Sequence, residues 1–257
     1  MQRLLSPWPL SWSRQQRSSA TMASSVVLLI VILWLLATPL SWAPAPIGNN
    51  AQLFAEGTRV TVQLTIVAGI AGVLLGVLAA LGKVSRVPLL RWIASSYIWV
   101  MRGTPLLVQV FIIYYGLPSI GIEFSPISAG ILALTLNVAA YLSESLRGAV
   151  AGVTQGQWLA GTSLGLTRTQ TLRYVIGPQA LRSAVPSLSN SLISLIKDTS
   201  LVSVIAVTEL MLATKELIST TFQPFPLYIA AAGVYWVLSL AFEQLQRVLE
   251  RRLAFPH

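Results

Sequence analysis

The sequence predicts an all-α integral membrane protein that crosses the bilayer several times. Of its 257 residues 54% are hydrophobic and only 10% are charged, and its mean hydropathy is +0.71. A soluble domain usually carries about 25% charged residues. Several apolar runs approach the roughly 20 residues that a membrane-spanning helix needs. Because backbone groups in lipid must bond within their own segment, each run is assigned to a helix.

Six apolar helices are predicted, near 22–42, 60–81, 93–115, 127–146, 188–210 and 227–245. The first has a second interpretation, because arginines precede it and Ser41-Trp42-Ala43 is similar to the cleavage site of a signal peptide. The length of the run and Pro44 argue against cleavage. We expect a cytoplasmic segment over 1–21, then an extra transmembrane helix or uncleaved signal anchor over 22–43. Both interpretations orient the other five helices identically.

Basic residues orient the spans. One side of the predicted membrane holds thirteen of the 17 lysines and arginines: Arg3, Arg14, Arg17, Lys83, Arg86, Arg91, Arg147, Arg168, Arg173, Arg182, Arg247, Arg251 and Arg252. Lysine and arginine are retained on the cytoplasmic side, so both termini are predicted inside. This topology accounts for the net charge of +9, which therefore does not indicate a nucleic-acid partner.

Several kinds of chemistry are excluded by residue content. The chain has no cysteine, and its one histidine is the terminal His257, which excludes thiol chemistry, disulfides and histidine-based metal sites. No Gly-x-x-x-x-Gly-Lys-Ser/Thr string occurs, so the chain does not bind ATP through a P-loop of its own.

Small residues line one face of the second span. Ala68, Gly72, Gly76 and Ala80 recur every four residues. Small side chains let two helix backbones approach closely, so this face is predicted to pack against another helix.

The third span contains a charge and a helix breaker in Arg102-Gly103-Thr104-Pro105. Proline removes one backbone hydrogen bond and clashes with the preceding turn, so the helix is expected to kink or break there. Broken helices build the midplane binding sites of many transporters. The alternative is a simple kink, with Arg102 reaching towards an interface.

The fourth and fifth spans each carry a polar stripe, which a helix in lipid turns inward. The stripes are Asn137, Tyr141 and Glu144, and Asn190, Ser194 and Lys197 with Asp198 alongside. Two structural alternatives stay open: Glu144 pairs with Arg147, and Lys197 pairs with Asp198. Arg102, Glu144, Lys197 and Asp198 together are electrically balanced, which suits a zwitterion such as an amino acid.

Between the fourth and fifth spans lies a basic cytoplasmic loop over 147–185. It holds four arginines and no carboxylate, and its glycines and prolines divide it into short helices. A partner on the cytoplasmic side is expected to meet it. The alternative is an amphipathic interfacial loop that rests on anionic lipid.

Four stretches carry a resemblance to a known family. They are 57–65 (GTRVTVQLT), 102–109 (RGTPLLVQ), 156–181 (from GQW to PQAL) and 195–201 (LIKDTSL), in that order along the chain. They resemble the permease subunit of bacterial ATP-binding-cassette (ABC) importers for polar amino acids, the histidine/glutamine permease-like family. The resemblance covers roughly residues 50 to 255. It implies a five-helix type I ABC importer permease core over 57–246, a cytoplasmic tail over 247–257, and a first span added to that core.

The resemblance also implies a coupling helix, which in this family docks into a groove on the ATPase subunit. It would run from Gln157 to Leu164 and end at Gly165, a residue suited to a helix C-cap. Trp158 and Leu164 would supply apolar contacts. Leu159-Ala160-Gly161 stands where the family usually has Glu-Ala-Ala, so the contact that the acid would make with the ATPase must be made differently or be weaker.

The function implied is that of the permease subunit of an ATP-driven amino acid importer in a bacterial inner membrane, without covalent chemistry, cofactor or metal. Its partners would be two ATPase subunits, a second identical or related permease, membrane lipid, and a substrate-binding protein that meets outer loops including Ala43–Gly57 and Gly116–Ser125. In the cavity, Arg102 and the amides around Thr104 would hold the substrate carboxylate. Asp198, with Asn137 or Tyr141, would hold the ammonium group.

Two other functions are weighed against this one. A secondary transporter would use Asp198 or Glu144 as an ion relay, but the internal repeats typical of such proteins are not evident. A non-transporting assembly or sensory subunit would not need a polar broken helix. The amino acid transported, and whether the permease pairs with itself, do not follow from the sequence.

Overall fold

Within residues 40–253, which the computed structural model describes with side chains through residue 247, the chain forms α-helices and short helical turns but no strand. The α-helices are α1 (Ala51–Lys83), α2 (Pro88–Gly103), α3 (Leu106–Phe111), α4 (Pro126–Ala151), α5 (Gln155–Ser163), α6 (Arg168–Thr171), α7 (Gly177–Asp198), α8 (Leu210–Thr221) and α9 (Pro224–Leu253). Turns of 3-10 helix cover Gly48–Asn50, Leu117–Ile120 and Thr199–Ile205, and π-helical turns cover Ile112–Gly116 and Leu172–Ile176.

Three of these helices are long and apolar enough to cross a bilayer: α1, α4 and α9. They contain the predicted spans 60–81, 127–146 and 227–245. Large apolar side chains such as Ile70, Leu74 and Leu78 are exposed along α1, which suits a face that meets lipid or another membrane helix. The all-α membrane fold is thereby confirmed, whereas the predicted first span 22–42 lies outside the described residues apart from its last three positions.

The predicted span 93–115 is broken where the proline was expected to break it. α2 ends at Gly103, α3 begins at Leu106, and the two segments are bent by 111°. Thr104 and Pro105 between them have extended backbone angles. The break turns the chain sharply and leaves backbone groups near Pro105 that need partners outside a regular helix.

The prediction of one helix over 188–210 is wrong. α7 begins earlier, at Gly177, and ends at Asp198, after which a 3-10 helix runs to Ile205. At the end of α7 the hydroxyls of Thr199 and Ser200 donate to the carbonyls of Ile196 and Lys197, at 2.7 and 2.6 Å. Such side-chain bonds compete with continued α-helix. The apolar pattern persists across the 3-10 segment, which is why hydropathy alone extended the span.

The helices also shorten the predicted loop over 147–185. α4 continues to Ala151 and α7 starts at Gly177, so the segment between them covers 152–176. At the other end of the chain, α9 continues through Leu253 and so occupies part of the predicted tail over 247–257.

The packing of α1 against α4 is the most extensive in the described chain. A side chain at Gly72 would collide with Val138, and a β-carbon at Gly76 would lie 3.0 Å from the carbonyl oxygen of Ala139. The predicted helix contact along the small-residue face of α1 is therefore confirmed.

One hydrophobic core surrounds this contact and includes Leu64, Leu134, Val138 and Leu142. A second core joins α1, α8 and α9 around Phe54, Leu210 and Leu227.

Candidate functional site

The break between α2 and α3 is held together by Gln109, a buried side chain of α3. Its Nε2 donates to the carbonyl oxygens of Met101 and Thr104, at 2.8 and 3.1 Å, and to Thr104 Oγ1 at 3.0 Å. Its Oε1 accepts from Asn137 Nδ2 of α4, at 3.0 Å. Carbonyls freed by a proline must find partners in lipid, and this glutamine supplies them. The sequence patterns assigned no role to Gln109. Its position in an apolar run, four residues after Pro105, was the signal that could have indicated one.

A polar cavity of about 440 Å³ lies between this break, α4 and α7. Four of the five predicted cavity residues line it: Thr104, Asn137, Tyr141 and Asp198. They are joined there by Ser187, Asn190, Ser191 and Ser194 of α7. The cavity therefore joins Asn137 and Tyr141 of the fourth predicted span to Asn190, Ser194 and Asp198 of the fifth, whereas Glu144 and Lys197 of the same predicted stripes lie outside its lining.

Asp198 is the one carboxylate among the described residues that line this cavity. It is half-buried at the end of α7. Among the described residues it forms no hydrogen bond or ion pair through its side chain, and the ion pair with Lys197 that remained open in the sequence is not formed. Asp198 thus has unused acceptor capacity towards the cavity.

Arg102, the fifth predicted cavity residue, lies beside the cavity rather than in its lining. Its guanidinium is 5.6 Å from the ring centroid of Tyr141 and 3.9 Å from Glu144 Oε2. A cation over an aromatic face is attracted by the ring quadrupole, so Tyr141 connects Arg102 to the cavity. The Arg102 side chain retains 41% of its exposure.

Glu144 is the centre of a charge cluster at the end of the molecule that holds α5, here called the α5 end. Lys83 Nζ donates to Glu144 Oε2 at 2.8 Å, and Arg147 Nε donates to Oε1 at 2.8 Å. The expected pairing of Glu144 with Arg147 is confirmed, with Lys83 of α1 as a further partner. Three cations around one carboxylate leave this cluster net positive.

A second polar cavity, of about 610 Å³, continues towards the α5 end and is here called the vestibule. It is lined by uncharged groups that include Ser145, Gly148, Gln179 and Ser183, and it shares Ser187 with the first cavity. The hydroxyls of Ser145 on α4 and Ser187 on α7 are hydrogen-bonded at 2.9 Å. This pair therefore stands between the two spaces.

A helix, α5, is present where the coupling helix was predicted; it begins two residues earlier than expected and ends at Ser163. After Leu164 the chain turns at Gly165, whose φ is +76°, and Leu166 N and Gly165 N donate to the carbonyls of Gly161 and Thr162 at 3.1 and 3.0 Å. These two bonds form a Schellman motif, which confirms the expected C-cap. Gly161 lies directly against the side chain of Thr171, so even a methyl group would not fit there.

Side chains of α5 divide between two directions. Leu159 and Leu164 are 65% and 77% exposed, and Ala160 is exposed as well. Trp158 is half-buried and lines a groove against α1 and α4. Gln157 Oε1 accepts from Gln179 Nε2 of α7, at 3.2 Å. A side-chain hydrogen bond therefore connects α5 directly to α7.

At the opposite end of the helices, Glu209 forms a buried junction that sequence analysis missed. Its Oε1 accepts from the N–H groups of Met211 and Leu212, at 2.8 and 3.0 Å, and caps α8. Its Oε2 accepts from Tyr235 Oη of α9 at 2.6 Å and from Thr61 Oγ1 of α1 at 3.3 Å. One carboxylate thus binds α1, α8 and α9 together.

Comparison with known proteins identifies the family to which this architecture belongs. Residues 72–255 match the family model for the binding-protein-dependent transport system inner membrane component. The chain is 44% identical over 202 residues to the L-cystine transport system permease protein of Bacillus subtilis (strain 168), covering 78% of this chain and 86% of that protein. It is 37% identical over 203 residues to the glutamine transport system permease protein of Escherichia coli (strain K12), covering 78% and 93%.

Solved structures agree with these relatives. A crystal structure of an amino acid ABC transporter with histidines matches with a TM-score of 0.76 at 40% identity, covering 79% of this chain and 95% of that chain. An inward-facing methionine ABC transporter matches with a TM-score of 0.65 at 18% identity, which shows a shared fold. From the family match and the identity to these permeases, the chain belongs to the binding-protein-dependent transport system inner membrane components and is an amino acid ABC transporter permease.

Proposed function

We propose that this chain is the permease subunit of an ATP-driven importer, which moves a polar amino acid delivered by a separate substrate-binding protein. The single observation that carries the proposal is the polar cavity between the broken helix α2–α3, α4 and α7, whose lining includes the carboxylate of Asp198. A half-buried carboxylate that accepts no hydrogen bond from the described residues suits an ammonium group, which needs acceptors and a compensating charge.

The two charged ends of the substrate would be bound at different walls of this cavity. Asp198 holds the ammonium group, with Asn137 as a polar neighbour. Arg102 and Tyr141 hold the carboxylate, because the guanidinium lies over the Tyr141 ring and stays partly exposed. Thr104 contributes less than its position suggests, since its hydroxyl already donates to the carbonyl of Val100 at 2.8 Å and accepts from Gln109.

The path for release would run between α4 and α7 into the vestibule. Ser187 lines both spaces, and its bond to Ser145 closes the way between them. Breaking one hydroxyl pair is inexpensive because water can replace it on both sides. The vestibule is lined by uncharged residues, so a zwitterion leaving the cavity meets no competing charge there.

Energy for opening would come from ATPase subunits that dock on α5. Leu159 and Leu164 are exposed for this contact, and Gln157, Ala160 and Gly161 complete the docking segment before Gly165. Movement of α5 reaches α7 through the bond between Gln157 and Gln179. Ser187 lies two turns further along α7, so the same movement would separate it from Ser145.

The assembly would contain two ATPase subunits and two permeases, the second being identical or related, in a bacterial inner membrane. Both termini and the α5 end would be cytoplasmic, as the distribution of lysine and arginine indicates. The binding protein would meet the opposite end, where residues 41–47 and 121–125 connect helices.

The test is uptake by the complex reconstituted in liposomes with its ATPase and binding protein. Asp198→Asn and Arg102→Gln should each abolish ATP-dependent uptake while the subunits still co-purify. Glu216→Gln is the matched control for Asp198→Asn, because Glu216 is an exposed carboxylate of α8 outside the cavity lining, and uptake should persist.

Inhibitors separate this function from ion-coupled transport. Vanadate should stop uptake by the wild-type complex, and an uncoupler should not. Uptake that survives vanadate but not the uncoupler would refute an ATP-driven importer. Unchanged uptake in the Asp198 and Arg102 variants would remove those residues from the substrate site.

A further inference from the structure

A groove at the α5 end, separate from the cavity and the vestibule, combines an apolar wall with a basic rim. It has a volume of about 610 Å³ and lies between α1, α4 and the α5–α6 segment. Its wall is formed by side chains that include Val77, Leu81, Leu146 and Val150, and Trp158 faces it from α5. Its rim holds Arg86, Arg147 and Arg168.

The rim carries positive charge that no carboxylate of the described groove lining neutralises. None of the described residues lining the groove is a carboxylate. Arg147 is committed to Glu144, but the side chains of Arg86 and Arg168 form no hydrogen bond or ion pair with residues 40–247. Arginine is suited to phosphate because its planar guanidinium offers several donors in a fixed geometry.

The apolar wall continues beyond the groove along the outer face of α1. Leu74, Leu78, Leu81 and Val84 are each about 60% exposed there (64%, 64%, 59% and 64%). A molecule with its charged end at Arg86 and Arg168 could therefore extend a hydrocarbon chain along α1 into the apolar layer. The surface is therefore basic at Arg86 and Arg168 and apolar further along α1, just as a bilayer is charged at its headgroups and apolar inside.

We propose that this groove binds an anionic phospholipid of the leaflet on the α5 side. Its phosphate is bound by Arg86 and Arg168, and an acyl chain lies along Val77, Leu81 and Val84. Basic pockets between transmembrane helices on the cytoplasmic side are suited to such headgroups. The lipid fills the space between α5 and the α1–α4 pair, and so supports the helix on which the ATPase would act.

Charge argues against filling of the groove by the chain's own N-terminal segment. Residues 1–39 contain Arg3, Arg14 and Arg17 and no aspartate or glutamate, so they are repelled by the same rim. A free phosphate ion would satisfy the arginines but would leave the apolar wall uncovered. A phospholipid satisfies both parts of the groove.

The test measures lipid binding to the purified full-chain complex by native mass spectrometry, with phosphatidylglycerol and phosphatidylcholine of identical acyl chains as probes. The double variant Arg86→Gln/Arg168→Gln should bind phosphatidylglycerol roughly tenfold to thirtyfold more weakly, since each arginine at a membrane surface contributes about one factor of five. The matched control is Arg91→Gln/Arg173→Gln, which removes the same charge from residues outside the groove lining. Its binding should stay within about twofold of wild type.

Four results would overturn the proposal. One is equal binding of phosphatidylcholine and phosphatidylglycerol by the wild-type protein. Another is an equal loss in the two double variants, which would indicate general surface charge. The third is displacement of the lipid by millimolar glycerol phosphate, which would indicate a site for a soluble anion. If phosphatidylglycerol binds the permease alone but not the complex with its ATPase, the groove is instead part of that protein interface.

Discussion

The face of α4 that meets α1 leaves no room for a methyl group at Gly72 or Gly76, whereas the face that meets α7 combines apolar contacts with the borders of two polar cavities. On the first face Gly72 and Gly76 admit Val138 and the backbone at Ala139 into direct contact. On the second face Tyr141 borders the cavity and Ser145 borders the vestibule, and the Ser145 hydroxyl is hydrogen-bonded to that of Ser187, which lines both spaces. The two faces belong to the same helix but have different mechanical properties.

A packed apolar contact resists displacement, because separating it forfeits dispersion contacts that nothing replaces. A polar contact beside water-filled space can separate at low cost, because water takes over its hydrogen bonds. We therefore infer that α1 and α4 move together as one unit during transport. From the same contrast we infer that relative movement is confined to the contact between α4 and α7.

The largest effect is expected from locking the polar face. The chain has no cysteine, so Ser145→Cys/Ser187→Cys introduces the only two thiols. Oxidation should join α4 to α7 and reduce uptake to background, and a reductant should restore it. The single variants Ser145→Cys and Ser187→Cys, treated with the same oxidant, should transport normally. A disulfide that forms completely without reducing uptake would show that substrate does not pass between these residues, while leaving ATP-driven import itself intact.

The second-largest effect is expected from removing Glu209, which joins α1 to α8 and α9 at the end opposite α5. Glu209→Ala leaves the hydroxyls of Tyr235 and Thr61 and two α8 N–H groups without their buried acceptor. Hydrogen bonds to a buried charged group contribute about 1.5–3 kcal/mol each, so we expect destabilisation of at least about 3 kcal/mol. The midpoint of thermal unfolding in detergent measures it.

The matched control is Glu216→Ala, which removes an exposed carboxylate from the same helix. Its unfolding midpoint should stay close to that of the wild type. Similar midpoints for the two variants would mean that Glu209 does not hold α1, α8 and α9 together.

A smaller effect is expected from forcing α1 and α4 apart. Gly72→Leu places a side chain against Val138, and overpacking of this kind costs about 1–3 kcal/mol. Gly233→Leu in α9 is the control, because nothing lies within 4 Å of a β-carbon there. The Gly72 variant should unfold at a lower temperature than the control. Equal midpoints would show that the α1–α4 contact accommodates a larger side chain without loss of stability.

Much of this comparison could be predicted from local sequence patterns. A four-residue repeat of small side chains identifies the dry face of α1, and Pro105 identifies the helix break, because both act through near neighbours in the chain. Gln109 and Glu209 could not be assigned in this way. Their partners are Asn137 on α4, and Thr61 and Tyr235 on α1 and α9, which only the tertiary fold brings together.

The end of α7 was missed for a different physical reason. Hydropathy measures whether a segment can enter lipid, and the segment after Asp198 remains apolar. It carries no information on backbone geometry, which is set there by the hydroxyl bonds of Thr199 and Ser200 to the last turn. Arg102 was similarly placed in the cavity from its position in the span, whereas its side chain turns to Tyr141 and Glu144.

The smallest expected effect lies outside both faces of α4, on the helix that would drive them. Leu159 is 65% exposed on α5, where the resemblance leads one to expect a glutamate. Leu159→Glu adds one carboxylate near the middle of an exposed helix, and an exposed ion pair between it and a basic residue of the ATPase would contribute about 0.2–1 kcal/mol. Uptake and ATPase coupling should therefore rise by less than about fivefold at low salt, and the gain should shrink at high salt as charges are screened.

The matched control is Leu164→Glu, the same change at the 77% exposed C-cap of α5. It should give no gain, because a negative charge at a helix C-terminus is unfavourable. Equal gains at both positions would indicate non-specific attraction to the ATPase, and a salt-independent gain would exclude an ion pair as its cause.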